Sequence, residues 1–469
     1  MNKKPDIQAP NLLISVIPLI VMVLLLIVGY GVFKIGAEVL LVITAFVTGI
    51  LARMSGYSWD IMQQGIVDSI TKALPAMLIV ITVGVLIGSW IIGGTIPMLI
   101  YYGLKMISPR FFLLSACIVC SIISLFTGTS WGTVGTVGIA FIGVAEGLGI
   151  PTAQAAGAII SGAYFGDKLS PFSDTTNLAP IAARSNLFDH IKHMLWTTLP
   201  AWVIGLGIYL VMGFLSHSGK QVSLPVDLLE ALKENFRLNI LLLLPPLIVL
   251  YFAVRKLPTI PGMLISSFIA LILGIFFQGV NLPDALTALT HGYQSNTGLA
   301  DLDRLLTRGG MMSMMGVTLI AFCAFGFAGI MQSTGMLDRI LSALARFTRT
   351  TGMLIASTVI SCISVALMTG SSFLSIIIPG ELFSPLYKAK NLAAKNLSRT
   401  TEDSGTVIVP LIPWSMAAVF MSGTLGVSTL DYLPWTFMNY FGFLFALLYG
   451  FSGIGIALKI REDETQPGS

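Results

Sequence analysis

The chain has 469 residues, of which 10% are charged and 55% apolar, with a net charge of +4 and a mean hydropathy of +0.88. A soluble surface needs about a quarter of residues charged, disorder needs low hydrophobicity, and no Lys/Arg patch large enough to hold nucleic acid stands out. What remains is a multi-spanning membrane protein.

Lys3 and Lys4 precede an uncharged apolar stretch, 12–33. At 1.5 Å per residue it is about 33 Å long, enough to cross a bilayer. It exceeds the apolar core of a secretory signal and no A-x-A site follows, so it reads as the first span. Further apolar segments in the first half are 36–52, 73–93, 111–127, 132–149, 152–183 and 194–215. Those of the second half are 238–254, 260–280, 309–332, 352–368, 372–387, 391–423 and 433–458. Cys117, Cys120, Cys323 and Cys362 all lie in apolar runs and read as buried thiols, because no second pair or nearby His completes a zinc site.

The polar stretch 216–237 divides the chain into 1–215 and 238–469, and the two parts resemble each other. Gly88 matches Gly329 and Gly94 matches Gly335 at an offset of 241, and "TGTS" (127–130) matches "TGSS" (369–372) at 242. "FGDKLSPFSD" (165–174) pairs with "TEDSG" (401–405), and "TLPAW" (198–202) with "YLPWT" (432–436). Four matches in one order point to an internal duplication of the kind common in secondary transporters. Each half holds an odd number of crossings, seven, or five if 111–127 and 132–149 form a re-entrant hairpin. The expected fold is therefore an all-α polytopic membrane protein of two inverted-topology repeats, each with a hairpin and a broken helix. With the N-terminus inside, sixteen Lys and Arg fall on inside loops and eight on outside loops, with Lys168 and Arg399 of the total 26 left in the membrane. That bias supports cytoplasmic N- and C-termini and an extracytoplasmic 216–237 connection.

A carboxylate within a membrane is expensive and asks for a reason. The densest cluster is "DKLSPFSDTTN", 167–177. Pro171 opens the helix, so freed carbonyls and the hydroxyls of Ser170, Ser173, Thr175 and Thr176 become oxygen ligands, with charge from Asp167 and Asp174. Such a set suits a small hard cation at Asp167 and Asp174. In the second half Glu402, Asp403 and Ser404 sit inside an apolar run, with Gly405 as the expected break. Arg399 is placed to bridge Glu402 on one helix face, whereas Asp403 has no local partner. Lys168 is either the partner of Asp174 or a counter-charge that leaves when a cation binds. The tips Thr127, Gly128, Thr129, Ser130 and Thr369, Gly370, Ser371, Ser372 each join two apolar segments and present small hydroxyl groups. His190, His193, His217 and His291 all fall in expected loops, and Glu146 reaches an interface.

At "FTGTSWGTVGTVG" (126–138) and "AAGAIISGAYFGDKLSPFSDTTNLAP" (155–180) the sequence resembles the NhaC family of bacterial Na+/H+ antiporters, which includes sodium-dependent malate/lactate antiporters. The resemblance implies Na+/H+ exchange, an inner-membrane location and paired hairpins in inverted repeats. It carries over Asp167, Ser170, Pro171, Asp174 and Thr175 as the core of the site, with Thr127, Gly128, Thr129, Ser130, Asp403 and Ser404 around it. The expected partners are Na+, H+ and the lipid bilayer, with a homodimer allowed, no nucleic acid and no cofactor. The competing readings are a Na+/H+-coupled carboxylate (malate/lactate) antiporter, a membrane-embedded enzyme and a channel. The enzyme lacks H-E-x-x-H and any expected in-membrane His.

Overall fold

The computed structural model describes residues 10–33, 35–216 and 226–458. Lys3, Lys4, Lys220 and His217 lie outside the described residues, as do 459–469 at the end of the second half. Among the described residues there is no strand, only two isolated bridges, Tyr293 with Arg308 and Leu392 with Leu458. Among the described residues eight helices are long and apolar enough to cross a membrane, and up to ten if each of two bent pairs is one span. The protein is an all-α, multi-pass membrane protein.

The first half runs α1 (Leu12–Leu24, continued as a π segment), α2 (Ala37–Met54), α3 (Trp59–Ile92), α4 (Thr95–Met106) and α5 (Phe112–Thr127). It continues with α6 (Ser130–Thr133), a π turn (Val134–Gly138), α7 (Ile139–Gly147), α8 (Thr152–Leu169), α9 (Asp174–Ala183) and α10 (Leu187–Ser216). A connecting helix, α11 (Val226–Asn235), follows and buries Leu228, Leu229 and Leu232, so the polar connection is partly an amphipathic helix. The second half runs α12 (Leu244–Val254), α13 (Thr259–Leu273), α14 (Leu282–His291), α15 (Ala300–Leu306), α16 (Met315–Ser333), α17 (Met336–Leu344), α18 (Thr351–Thr369) and α19 (Ser372–Ala389). It ends with α20 (Ala394–Thr401), a π turn (Glu402–Thr406), α21 (Met416–Leu425), α22 (Thr429–Tyr432) and α23 (Phe437–Ser452).

Three of the sequence matches recur as local structure. Gly94 and Gly335 turn α3 into α4 and α16 into α17 with φ of 86° and 69°. Gly128 and Gly370 end α5 and α18 at φ of 68° and 63°, each donating its N–H at 2.8 Å to the carbonyl four residues back. That is the left-handed helix stop, which a Cβ disfavours. The clusters 165–174 and 401–405 both lie where a helix loses its regular ladder. The fourth match is not equivalent: Pro200 lies inside α10, whereas Pro434 lies in the 3-10 turn before α23.

Two boundaries differ from expectation. The first helix holds through Leu169, so Asp167 is helical and only 170–173 is unwound. The second break falls at 412–415, where the helix pair bends by 47°, rather than at Gly405. Pro410 and Pro413 lack the N–H groups that would continue the ladder there, while Gly405 stays in the π turn and accepts from Ser375 Oγ at 2.8 Å.

Small residues bring the helices close enough to fix these breaks. Gly162 and Gly166 of α8 lie directly against the Cys117 and Ser121 carbonyls of α5, leaving no room for a side chain. Ser124 Oγ adds a 2.6 Å bond to the Ala163 carbonyl. Without a hydrophobic force between helices in lipid, such close backbone contact is a main source of association.

Candidate functional site

Both hairpin tips and the α8–α9 break line one cavity of about 700 Å³, together with the start of α21. Each tip meets the break of its own half. A Cβ on Gly128 would lie 2.6 Å from the Phe172 carbonyl carbon, and one on Gly370 would lie 3.2 Å from Ser415 Cα. Met416 N donates to Gly370 O at 3.1 Å. Hydroxyls cap the helices that start there: Thr129 accepts from Gly132 N, Ser173 from Thr176 N, Ser371 from Leu374 N and Ser415 from Ala418 N. The caps satisfy amides that a helix start leaves open. Trp131 stacks on Phe420 with ring centroids 4.5 Å apart, joining the first tip to α21.

Asp167, in the last turn of α8, is buried on the cavity wall and accepts from Ser130 Oγ at 2.8 Å. Asp174 also lines the cavity but is exposed, at the first position of α9. Ser170 is buried and closes the break by accepting from Phe172 N at 3.2 Å. Thr175 lines the cavity, with its hydroxyl 3.2 Å from that of Ser173. Several of the carbonyls at the break are taken by side chains. Thr176 Oγ1 donates to the Asp167 and Lys168 carbonyls at 3.2 and 3.0 Å, and Asn177 Nδ2 to those of Pro171 and Ser173 at 2.9 and 2.7 Å. Buried carbonyls left open would be costly, so neighbouring side chains take them. The side-chain ligands on offer are hydroxyls and carboxylates.

Behind this wall Lys168 forms a fully buried ion pair with Asp403 of the other half, not with Asp174. Thr197 of α10 also donates to Asp403 Oδ1, at 2.9 Å, while Oδ2 has no hydrogen-bond partner. Glu402 is buried, and neither of its oxygens has a hydrogen-bond partner. Lys168 and the hydroxyls of Thr175 and Thr406 are near enough to act on it, and both threonines line the cavity. The Arg399–Glu402 bridge does not form: Arg399 Nη1 donates instead to the Gly455 carbonyl at 2.9 Å. Ser404 spends its proton on Thr400 O at 2.5 Å and does not line the cavity.

The sequence reading missed several residues here. Lys72 and Lys256 line the cavity, Lys256 lying 5.4 Å from the Phe172 ring centroid. His190 and His193 are not in a loop but buried inside α10. His291 is the last residue of α14. Glu146 pairs with Arg308 at 3.5 Å. Among the described residues no group of three or more His, Cys, Asp or Glu could hold a metal ion.

Two broken helices, two hydroxyl-tipped hairpins and buried carboxylates around one cavity define a polytopic helical membrane protein with an oxygen-lined polar site at the hairpin tips. Comparison with known proteins places it further. The profile of the Na+/H+ antiporter family matches residues 162–454. The chain is 38% identical to the Na+/H+ antiporter NhaC of Alkalihalophilus pseudofirmus, over 97% of this chain and 98% of that one. It is 37% identical to the malate-2H+/Na+-lactate antiporter of Bacillus subtilis, over 96% of each. An arginine/ornithine antiporter, ArcD of Halobacterium salinarum, is 34% identical over 96% of this chain and 94% of that one. The chain belongs to the Na+/H+ antiporter family and to its NhaC branch.

Proposed function

We propose that the chain is a secondary transporter that exchanges Na+ for H+ across the bacterial cytoplasmic membrane, with both termini in the cytoplasm. The observation that carries the mechanism is Asp167: a buried carboxylate on the wall of the shared cavity, next in sequence to the lysine that pairs with Asp403. A carboxylate there takes either a proton or a cation. Desolvation favours the neutral acid and a bound cation favours the anion, so each ion displaces the other.

Asp167, Ser130, Ser173 and Thr175 supply oxygens on the cavity side, with Asp174 drawing cations in at the exposed end of α9. Glu402 is the second acceptor, since its buried oxygens have no hydrogen-bond partner and the Thr175 and Thr406 hydroxyls connect it to the cavity. Inverted repeats rocking against each other would alternate access to this site. In the proposed orientation the cavity opens on the Lys72 and Lys256 side, which is cytoplasmic.

Everted vesicles test the reading. Na+ added to wild type should dissipate a preset pH gradient with no organic anion present. Asp167→Asn should abolish that response while the protein still inserts, and Glu402→Gln should lower it about tenfold or more. Wild-type exchange in Asp167→Asn would remove the site from the account.

A second reading has its own support. The cavity is far larger than one dehydrated ion, and two lysines stand on its wall. An organic carboxylate would fit there, as the malate/lactate relative suggests. Strict dependence of the vesicle response on malate or lactate would favour it.

A further inference from the structure

A second cavity, of about 660 Å³, lies across α21 from the hydroxyl-lined one. Met416, Ala417 and Phe420 of α21 line the hydroxyl-lined cavity, whereas Val419 and Ser422 line the second. Its other walls are α1 with its π segment, the start of α2, part of α16 and the break at Pro413 and Trp414.

The wall is largely apolar. Among the described residues no charged side chain lines it. Tyr30 Oη and Ser428 Oγ share a hydrogen bond at 3.3 Å, and Ser422 Oγ donates to the Val419 carbonyl at 3.3 Å. Trp414 Nε1 donates to the Leu367 carbonyl at 2.8 Å. An apolar cavity with so little left to hold water stays dry. Left empty, it deprives its lining of contacts on one side. An apolar occupant restores those contacts.

The bilayer supplies one. Of the eight long spans, α1 is the least covered by protein, with 22% of its window buried. Val23 and Ile27 line the cavity and are 39% and 62% exposed, so its opening is continuous with the lipid-facing flank of α1. From Val23 to Tyr30 the wall runs about 10 Å along the helix, less than half of a hydrocarbon core of about 30 Å. The cavity therefore stays within one leaflet. Tyr30 and Ser428 stand at the end nearest the close of the first span, where a tyrosine suits the membrane interface.

We propose that this cavity binds one acyl chain of a membrane phospholipid, which enters past Val23 and Ile27 and leaves its head group at the Tyr30–Ser428 end. The chain packs on Trp414 and Val419, and so supports the second broken helix from the side away from the ions. The site needs only that the protein sits in a bilayer, not that it exchanges Na+ for H+. In the proposed orientation the lipid comes from the outer leaflet.

The test uses the full chain in nanodiscs that contain phosphatidylethanolamine with a diazirine in one acyl chain. After illumination, labelled residues are mapped by mass spectrometry. Leu26, Val317 and Ile320 should be labelled more than Phe46, although Phe46 is 69% exposed in the middle of α2. Ile320→Trp fills the cavity, and labelling at Leu26 and Val317 should then fall to the level at Phe46. Should Ile320→Trp fail to insert, Val317→Trp carries the same test, read at Leu26 and Ile320. Labelling that merely follows exposure, with Phe46 above the cavity residues, would overturn the proposal, as would labelling that the tryptophan leaves unchanged. A second copy of the chain seated over the opening would keep the probe out and leave the cavity residues unlabelled, which overturns it too.

Discussion

Lys168 and Asp403 stand 235 positions apart in the chain, yet share one buried ion pair. Taking one partner away strands a charge in a medium that cannot solvate it, at about 3–5 kcal/mol, whereas replacing both with apolar groups is often neutral or stabilising. Lys168→Met alone should therefore lower the thermal midpoint of the detergent-solubilised protein. Lys168→Met with Asp403→Leu should restore the midpoint without restoring exchange. Sequence alone showed that both charges were buried but not that they met, because no local spacing links them. The histidines were misplaced for a related reason: 187–193 is polar enough to read as a loop, and only the packing of α20 over it explains its burial.

A second carboxylate works outside the membrane. Asp303 accepts from the Thr297 N–H at 2.7 Å, the Thr297 and Ser295 hydroxyls at 2.8 Å each and the Gly298 N–H at 3.2 Å. These donors, the Thr297 N–H first, hold its carboxyl below the ordinary value. A lowered folded value means the stabilisation is present above the unfolded value and is lost as pH falls through the folded one. Amide exchange at Thr297 and Gly298 should accordingly rise in acid, and Asp303→Asn should show the fast exchange already at neutral pH.

At the level of elements, the hairpins are defined by where they stop. Forcing an L side chain into the left-handed conformation costs about 1–2 kcal/mol. Gly370→Ala should lose about that much, since its Cβ would meet Ser415 at 3.2 Å, a distance that can relax. Gly128→Ala should lose more, because its Cβ would press at 2.6 Å on the Phe172 backbone. Thermal unfolding of the two variants side by side checks the order. The tips were readable in the sequence as small polar breaks in apolar runs. The π turns and the second break were not. Apolar content continues through 391–423, and a prolyl break at 410–413 competed with a glycine that turned out to serve packing.

For the whole molecule, α3 is the telling element. Its 34 residues span about 51 Å, well beyond a hydrocarbon core of about 30 Å. Its early turns carry Lys72 to the cavity wall, whereas the sequence reading began this span at 73. A cysteine placed at Lys256 should react with a membrane-impermeant maleimide from the cytoplasmic side only, and one at Lys105 from the opposite side only. The reverse pattern would invert the proposed orientation. The all-helical, multi-span character was legible because lipid demands long apolar runs, but the seven apolar segments of each half do not map one to one onto the eight to ten helices among the described residues that are long enough to cross. The convergence of both halves on one cavity rested on repeat matching that a single sequence carries only faintly.

The cross-half ion pair also bears on how such a chain comes together during synthesis. Until the π turn after α20 is made, the ammonium of Lys168 lacks its Asp403 partner, and a truncated product ending near 216 would hold an unpaired cation in lipid. Cut in the polar connection and produced separately, each fragment should be cleared by proteases. Produced together, the two should rescue one another, because each brings the counter-ion the other lacks.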